Sequence, residues 1–328
     1  MAVTSKGTAA GLVDWRTVER LTALIPAGPS ASRSARASSV AVLRRSALEA
    51  PAWVARITGL NRAAQQVAET TRVSVVDRAG LVRASTRALR GLMEQVPAPQ
   101  ASEAVRLVGA AEMAGAMSLL ATRLLGQVVP AAGTGADGDG GRGGEASPHL
   151  LLVAPNVLAM RRQLDLDMLD LPAWVCLHEM THAVQLAAAP WLGPYLSDSM
   201  RMVIGAVVEA VYGGPGGGAD GTGEQGLRRR PGRAARIAAR AGRGRVLEGL
   251  TNFKERSEVA SLAAALTFLE GHAEVVLDDV HPNRMPSVHR LRAVLSRSRA
   301  ADAGIGPGPG LGSLLLHRLM GLEAKEAQ

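Results

Sequence analysis

Apolar residues recur at helical spacing along most of this chain. Positions three and four residues apart share one face of a helix, so this spacing predicts amphipathic helices. Five segments carry the pattern: residues 35–50, 102–128, 174–189, 257–280 and 286–298. Two short runs rich in Val and Leu, residues 73–76 and 150–153, predict strands instead. The pattern therefore predicts a mainly α fold with a small β element.

Three glycine-rich stretches interrupt these segments. They span residues 131–147, 213–226 and 304–312, and their composition cannot build a packed core. An arginine-rich run, residues 228–245, follows the second stretch. We therefore expect a single domain over residues 1–328, with flexible insertions near 131–147, 213–245 and 304–312.

Composition and the absence of certain apolar segments indicate where the protein is located in the cell. The apolar fraction of 47% is ample for a core, whereas aromatic residues make up only 2%. Cys176 is the only cysteine, which excludes an intrachain disulfide. The first residues lack the apolar segment of a secretory signal, and no uninterrupted apolar run reaches membrane-spanning length. These features predict a soluble cytoplasmic protein that does not bind membranes.

The sequence His178-Glu179-Met180-Thr181-His182 carries the strongest chemical signal. Two histidines four residues apart on a helix project from one face and can bind a single metal ion, while the intervening glutamate can act on a water molecule. Gln185 falls on the same helical face. Asp170 is the predicted N-cap of this helix, and Pro190 is predicted to end it. A catalytic zinc ion usually takes a third protein ligand, so one more residue is required.

Glu270 is the predicted third ligand. It follows the mostly apolar residues 259–269, where a buried carboxylate is costly unless it is paired or bound to metal. On a regular helix His272 points about 200° away from Glu270, so both cannot reach one ion. We expect His272 to hydrogen-bond a ligand or to stabilise an oxyanion. An ion pair between Glu270 and an arginine is the alternative for that carboxylate.

Residues 269–274 resemble the Asn-Glu-Gly-Phe-Ala-Glu segment of the aminopeptidase branch of the gluzincins, with Leu269 and His272 as departures. More broadly, the chain resembles a mostly actinobacterial zincin-like family described as proposed hydrolases associated with deazaflavin-coenzyme biosynthesis. The similar stretches are residues 14–15, 75–78, 151–156, 178–192, 268–273 and 319–325. The resemblance implies a zincin-like metalloprotease fold, with His178, His182 and Glu270 as zinc ligands and Glu179 as general base. Relatives continue beyond the segment matched by 319–325, so we expect a shortened C-terminal region.

These features together predict a zinc-dependent hydrolase that cleaves peptides or other amides through a zinc-activated water. The donor that would stabilise the oxyanion stays open among Tyr195, Tyr212 and His272. A zincin-fold module with a binding or structural role is the alternative function. The net charge of +8 and the arginines of residues 228–245 could attract nucleic acid, but the run lacks interleaved aromatic residues, so we expect a solvated insertion. The oligomeric state stays open.

Overall fold

The computed structural model describes residues 7–129, 148–166, 168–212 and 253–301. Within these ranges the helices are α1 (Trp15–Thr22), α2 (Arg33–Thr58), α3 (Asn61–Thr70), α4 (Arg78–Glu94), α5 (Glu103–Arg123), α6 (Ala154–Gln163), α7 (Asp170–Ala188), α8 (Leu192–Tyr212), α9 (Phe253–Asp278) and α10 (Val288–Ala301). The strands are β1 (Gly7–Thr8), β2 (Arg72–Val76), β3 (Pro97–Ala98), β4 (Gly126–Val129) and β5 (His149–Val153). The fold is mainly α with a small β element, which confirms the predicted class.

A three-stranded sheet of order β2–β5–β4 lies between two groups of helices. Strand β5 runs parallel to β2 and antiparallel to β4. Because successive side chains of a strand point to opposite faces, Leu150 and Leu152 pack in the core cluster formed with α2 and α7. Leu151 and Val153 pack in the cluster formed with α4 and α5. Helices therefore cover both faces of the sheet. In the described part of the chain, β4 is at one edge of this sheet.

Helix α7 is held in the core by α2, α3 and α9, which all pack against it. The small Cys176 side chain is buried against α2, and its thiol donates a hydrogen bond to the Leu43 carbonyl at 3.5 Å. Burial raises the pKa of this thiol, and the nearby Glu179 carboxylate raises it further. Helix α2 ends at Gly59, whose φ of 73° is left-handed and suits glycine. Helix α7, which carries both histidines of the motif, is therefore fixed in place by packing against the neighbouring helices.

Two predicted helix boundaries are wrong. The helix predicted over 102–128 ends at Arg123, and its last residues form β4 instead. Apolar periodicity cannot separate these outcomes, but Val128 and Val129 are β-branched and their strand pairs with β5. The helix predicted over 35–50 continues through Pro51 to Thr58, because Pro51 is buried in the core and packing offsets its missing N–H.

Five helices were not predicted: α1, α3, α4, α6 and α8. Helix α6 begins directly after β5 and carries the buried Asn156. The Asn156 amide donates to the carbonyls of Ala121 and Leu124 at 2.8 and 2.6 Å, and Arg78 donates to its oxygen at 2.8 Å. These bonds satisfy carbonyls at the C-terminal end of α5, which the helix itself leaves unpaired.

Two helical stretches, Glu103–Arg123 and Ser257–Asp278, are long and apolar enough to cross a membrane by length and composition alone. Core helices of soluble proteins pass the same test, so this finding does not decide the location of the protein. The predicted insertions at 131–147, 213–245 and 304–312 lie outside the described residues, and so does the arginine-rich run. The cytoplasmic location and the absence of membrane and nucleic-acid partners stay predictions.

Candidate metal centre

Helix α7 carries both histidines of the motif and ends before Pro190, as predicted. Its predicted N-cap is wrong: Asp170 lies in the first turn, and the N-cap residue is Leu169. The buried Asp170 carboxylate instead accepts a hydrogen bond at 2.6 Å from the backbone N–H of Ser287, just before α10. The acidic side chain therefore joins two helices, a long-range use that local sequence does not reveal.

Three predicted ligands converge between α7 and α9. The Nε2 atoms of His178 and His182 lie 3.3 Å apart. The Glu270 carboxylate approaches both, with Oε2 at 3.4 Å from His178 Nε2 and Oε1 at 3.6 Å from His182 Nε2. In the described ranges, this is the group of His, Cys, Asp and Glu side chains whose ligand atoms are close enough to share an ion. The three residues that the sequence suggested as ligands therefore lie close together in the structure.

The His182 ring is neutral in this environment. The pKa of His182 is lowered to about 4, mainly by burial and also by the neighbouring His178, while Glu270 and Gln185 act in the opposite direction. A neutral imidazole keeps a lone pair on one ring nitrogen, which is the form that binds metal.

Glu179 lies beside the cluster and is buried, with 3% of its surface exposed. The backbone N–H of Val128 hydrogen-bonds its carboxylate, while Oε2 is buried without a hydrogen-bond partner. The pKa of Glu179 is raised to about 7, chiefly by burial and also by Glu270, against the opposing effects of His178 and the Val128 N–H. The carboxylate can therefore hold or release a proton near neutral pH.

Strand β4 also packs directly against Glu179, and sequence analysis missed this contact. A Cβ atom added at Gly126 would lie 2.7 Å from Cγ of Glu179, so a side chain at this position would collide with the glutamate. The run Gly126-Gln127-Val128-Val129-Pro130 is a strand signal, with β-branched residues between a glycine and a proline, that could have separated β4 from the end of α5.

Gln185 connects the two helices behind the cluster. Its Oε1 lies 2.9 Å from Nδ1 of His182, and its Nε2 lies 2.9 Å from the Leu269 carbonyl and 2.8 Å from Nδ1 of His272. His272 therefore contacts the residue that holds a predicted ligand and is not in the metal cluster itself. Its hydrogen bond is to Gln185 and not to a predicted ligand, so both predicted roles of His272 stay predictions.

The structure describes the side chain of one of the two tyrosines that were candidate oxyanion donors. Tyr195 lies on α8, and its ring packs edge to face against Trp191 with a centroid separation of 6.2 Å. Tyr212 is the last residue of α8, and its side chain is outside the described residues.

The donor set of this site fits a zinc ion. Two imidazole nitrogens and one carboxylate oxygen form a ligand combination that catalytic zinc takes in proteins, with one position left for water or substrate. The unpaired Oε2 atom of Glu179 adds an independent indication, because a buried carboxylate oxygen without a partner is costly.

Comparisons with known proteins bear on the fold and the family of this chain. A crystal structure of a proposed hydrolase with a novel fold, from Chloroflexus aurantiacus, is similar with a TM-score of 0.51 and 19% identity, covering 96% of this chain and 83% of that chain. At this identity the likeness shows a shared fold alone. Among curated proteins, none matches. The model of the zincin-like metallopeptidase family matches residues 13–328, and the chain therefore belongs to that family.

Proposed function

We propose that the protein is a zinc-dependent hydrolase of peptide or other amide bonds. His178, His182 and Glu270 would hold the zinc ion, and Glu179 would be the general base. The proposal depends on one observation: a convergent group of three donors lies beside a buried carboxylate with an unpaired oxygen. A structural zinc site usually takes four protein ligands and requires no base, so this arrangement favours a hydrolase over a non-catalytic zincin-fold module.

The roles of the protein groups follow from their positions. When bound, zinc supplies Lewis-acid activation of a water molecule and of the substrate carbonyl. Glu179 takes the proton of the attacking water at Oε2 and delivers it to the leaving nitrogen. The Val128 N–H holds the carboxylate while this proton moves. The association with deazaflavin-coenzyme biosynthesis stays an expectation from the resemblance, since no feature of the site bears on it.

Metal analysis of purified protein tests the ligand set. We expect one zinc ion per wild-type chain and loss of zinc in His178→Ala and in Glu270→Ala. A folded wild-type protein without zinc would refute the proposal. Retention of zinc by both alanine variants would show that other residues bind the metal.

The Glu179→Gln variant tests the base separately. Glutamine preserves the shape of the side chain and can still accept the Val128 hydrogen bond, but it cannot take a proton. We expect it to keep its zinc and to lose about 10²–10⁴-fold in kcat on any peptide or amide that the wild type hydrolyses. Unchanged turnover would exclude Glu179 as base. Zinc without turnover on any substrate in wild type would favour the binding or structural module.

A further inference from the structure

Gln185 is buried between the two helices that carry the metal centre, with 8% of its surface exposed. It makes three side-chain hydrogen bonds: with His182 on its own helix α7, and with the Leu269 carbonyl and the His272 ring on α9. Leu269 directly precedes the predicted ligand Glu270. One amide therefore contacts a ligand ring on one helix and the backbone beside a ligand on the other.

The Leu269 carbonyl determines how this amide is oriented. A carbonyl can only accept hydrogen bonds, so the atom of Gln185 that faces it must be the NH₂ group. The amide oxygen then faces Nδ1 of His182, and that nitrogen must carry the ring proton because Oε1 cannot donate. The His182 lone pair is consequently on Nε2, the atom that faces His178 and Glu270.

The same orientation determines the His272 tautomer. The second hydrogen of the Gln185 amide points to Nδ1 of His272 at 2.8 Å, so this nitrogen accepts and the ring proton resides on Nε2. A reversed amide would place two oxygens against each other at Leu269, so the network permits one arrangement of neutral rings.

We propose that Gln185 is a positioning residue for the metal centre. It fixes the metal-binding tautomer of His182 and holds α9 so that Glu270 stays in reach of the histidines. This inference deepens the proposed function and rests on it for the identity of the ion. The tautomers themselves are properties of the metal-free protein.

Zinc affinity, measured by competition with a chelator, is the first test. We expect Gln185→Leu to bind zinc about 10–100-fold more weakly, because partners that orient ligand histidines contribute this much. Gln185→Glu keeps an acceptor for His182 but turns an oxygen toward the Leu269 carbonyl, so it should weaken zinc binding less than Gln185→Leu while it preserves the His182 tautomer. Thr181→Val is the matched control: Thr181 is buried on the same helix and donates to the Leu177 carbonyl at 2.8 Å, away from the ligands, so its affinity should not change.

Long-range ¹H–¹⁵N spectra of the metal-free protein, recorded at about pH 8.5, well above the ordinary imidazole pKa, are the second test. We expect a proton on Nδ1 of His182 and on Nε2 of His272 in wild type. In Gln185→Glu the carboxylate can only accept, so His182 should be unchanged while His272 moves its proton to Nδ1. A purely structural role for Gln185 would not produce this selective exchange.

The outcomes separate the two proposals. Zinc affinity unchanged in folded Gln185→Leu, or a wild-type His182 protonated on Nε2 in the metal-free protein, would overturn the positioning role. Absence of zinc from a wild-type protein with the expected tautomers would refute the proposed function while the orientation of the rings by Gln185 would stand.

Discussion

Replacing Gly126 by alanine should damage catalysis without removing the metal. Gly126 is on edge strand β4, and an added Cβ would lie 2.7 Å from Cγ, 3.1 Å from Cδ and 3.3 Å from Oε1 of Glu179. A separation of 2.7 Å between carbon atoms is far inside van der Waals contact at about 3.5–4.0 Å. Either Glu179 must change its rotamer or β4 must move away from α7.

The size of the effect follows from this collision. Overpacking of a buried site costs about 1–3 kcal/mol, so the free energy of unfolding should fall by about that amount. Relief of the clash requires a shift of the carboxylate of about 1 Å, and a misplacement of this size can lower turnover by about 10²-fold. The metal ligands make no contact with the added atom among those closest to it, so zinc affinity should be preserved.

The assay compares kcat, KM, zinc content and urea unfolding in wild type, Gly126→Ala and Gly115→Ala. Gly115 is inside α5, and a Cβ added there would have no atom within 4 Å, so the same substitution meets no clash. We expect it to stabilise the helix by about 1 kcal/mol, the helix preference of alanine over glycine, and to leave kcat unchanged. The reasoning is refuted if Gly126→Ala has the kcat of wild type, or if it loses zinc together with turnover.

Three further predictions concern stability. Burial raises the pKa of Glu179 from an ordinary 4.5 to about 7 in the folded metal-free protein, so its contribution to stability is full below pH 4.5 and is lost as pH rises from 4.5 to about 7. Glu179→Gln cannot ionise, so urea unfolding should show it gaining about 3 kcal/mol over wild type above pH 7 and nothing at low pH. Asn156→Ala leaves the Ala121 and Leu124 carbonyls without their amide donor and should lower the free energy of unfolding by about 1–3 kcal/mol; equal midpoints and slopes in urea would contradict this. Gly59→Ala forces a side chain into a left-handed φ of 73° and should cost about 1–2 kcal/mol in thermal or urea unfolding, opposite in sign to Gly115→Ala.

The candidate site was largely predictable because its chemistry is local. The four-residue spacing of His178 and His182 on a helix fixes their common face whatever the rest of the chain does. Glu270 was identified from the high cost of a carboxylate in an apolar helix, and the structure places it within 3.6 Å of both histidines. The separation of Glu270 from His272 also followed from helical geometry, since only Glu270 joins the cluster.

The features that could not be predicted from the sequence depend on contacts between distant segments. The Asp170 carboxylate looked like a local helix cap, yet its partner is the Ser287 N–H in the turn just before α10. Strand β4 looked like the end of a helix, because the apolar pattern of residues 102–128 continues across the break. Pairing with β5 decided the outcome, and β5 lies beyond the glycine-rich stretch that separates the two strands.

The direction of the Glu179 carboxylate illustrates why the motif alone does not specify a catalytic site. The helix determines that Glu179 projects from a different side than the histidines, but a glutamate has several rotamers. Gly126 leaves room for one of them, and the Val128 N–H supplies a partner for the carboxylate there. A similar division applies to His182, whose position comes from α7 and whose tautomer comes from the Leu269 carbonyl through Gln185. In both cases the local motif supplies the reactive group, and a backbone atom of another segment determines how that group is presented.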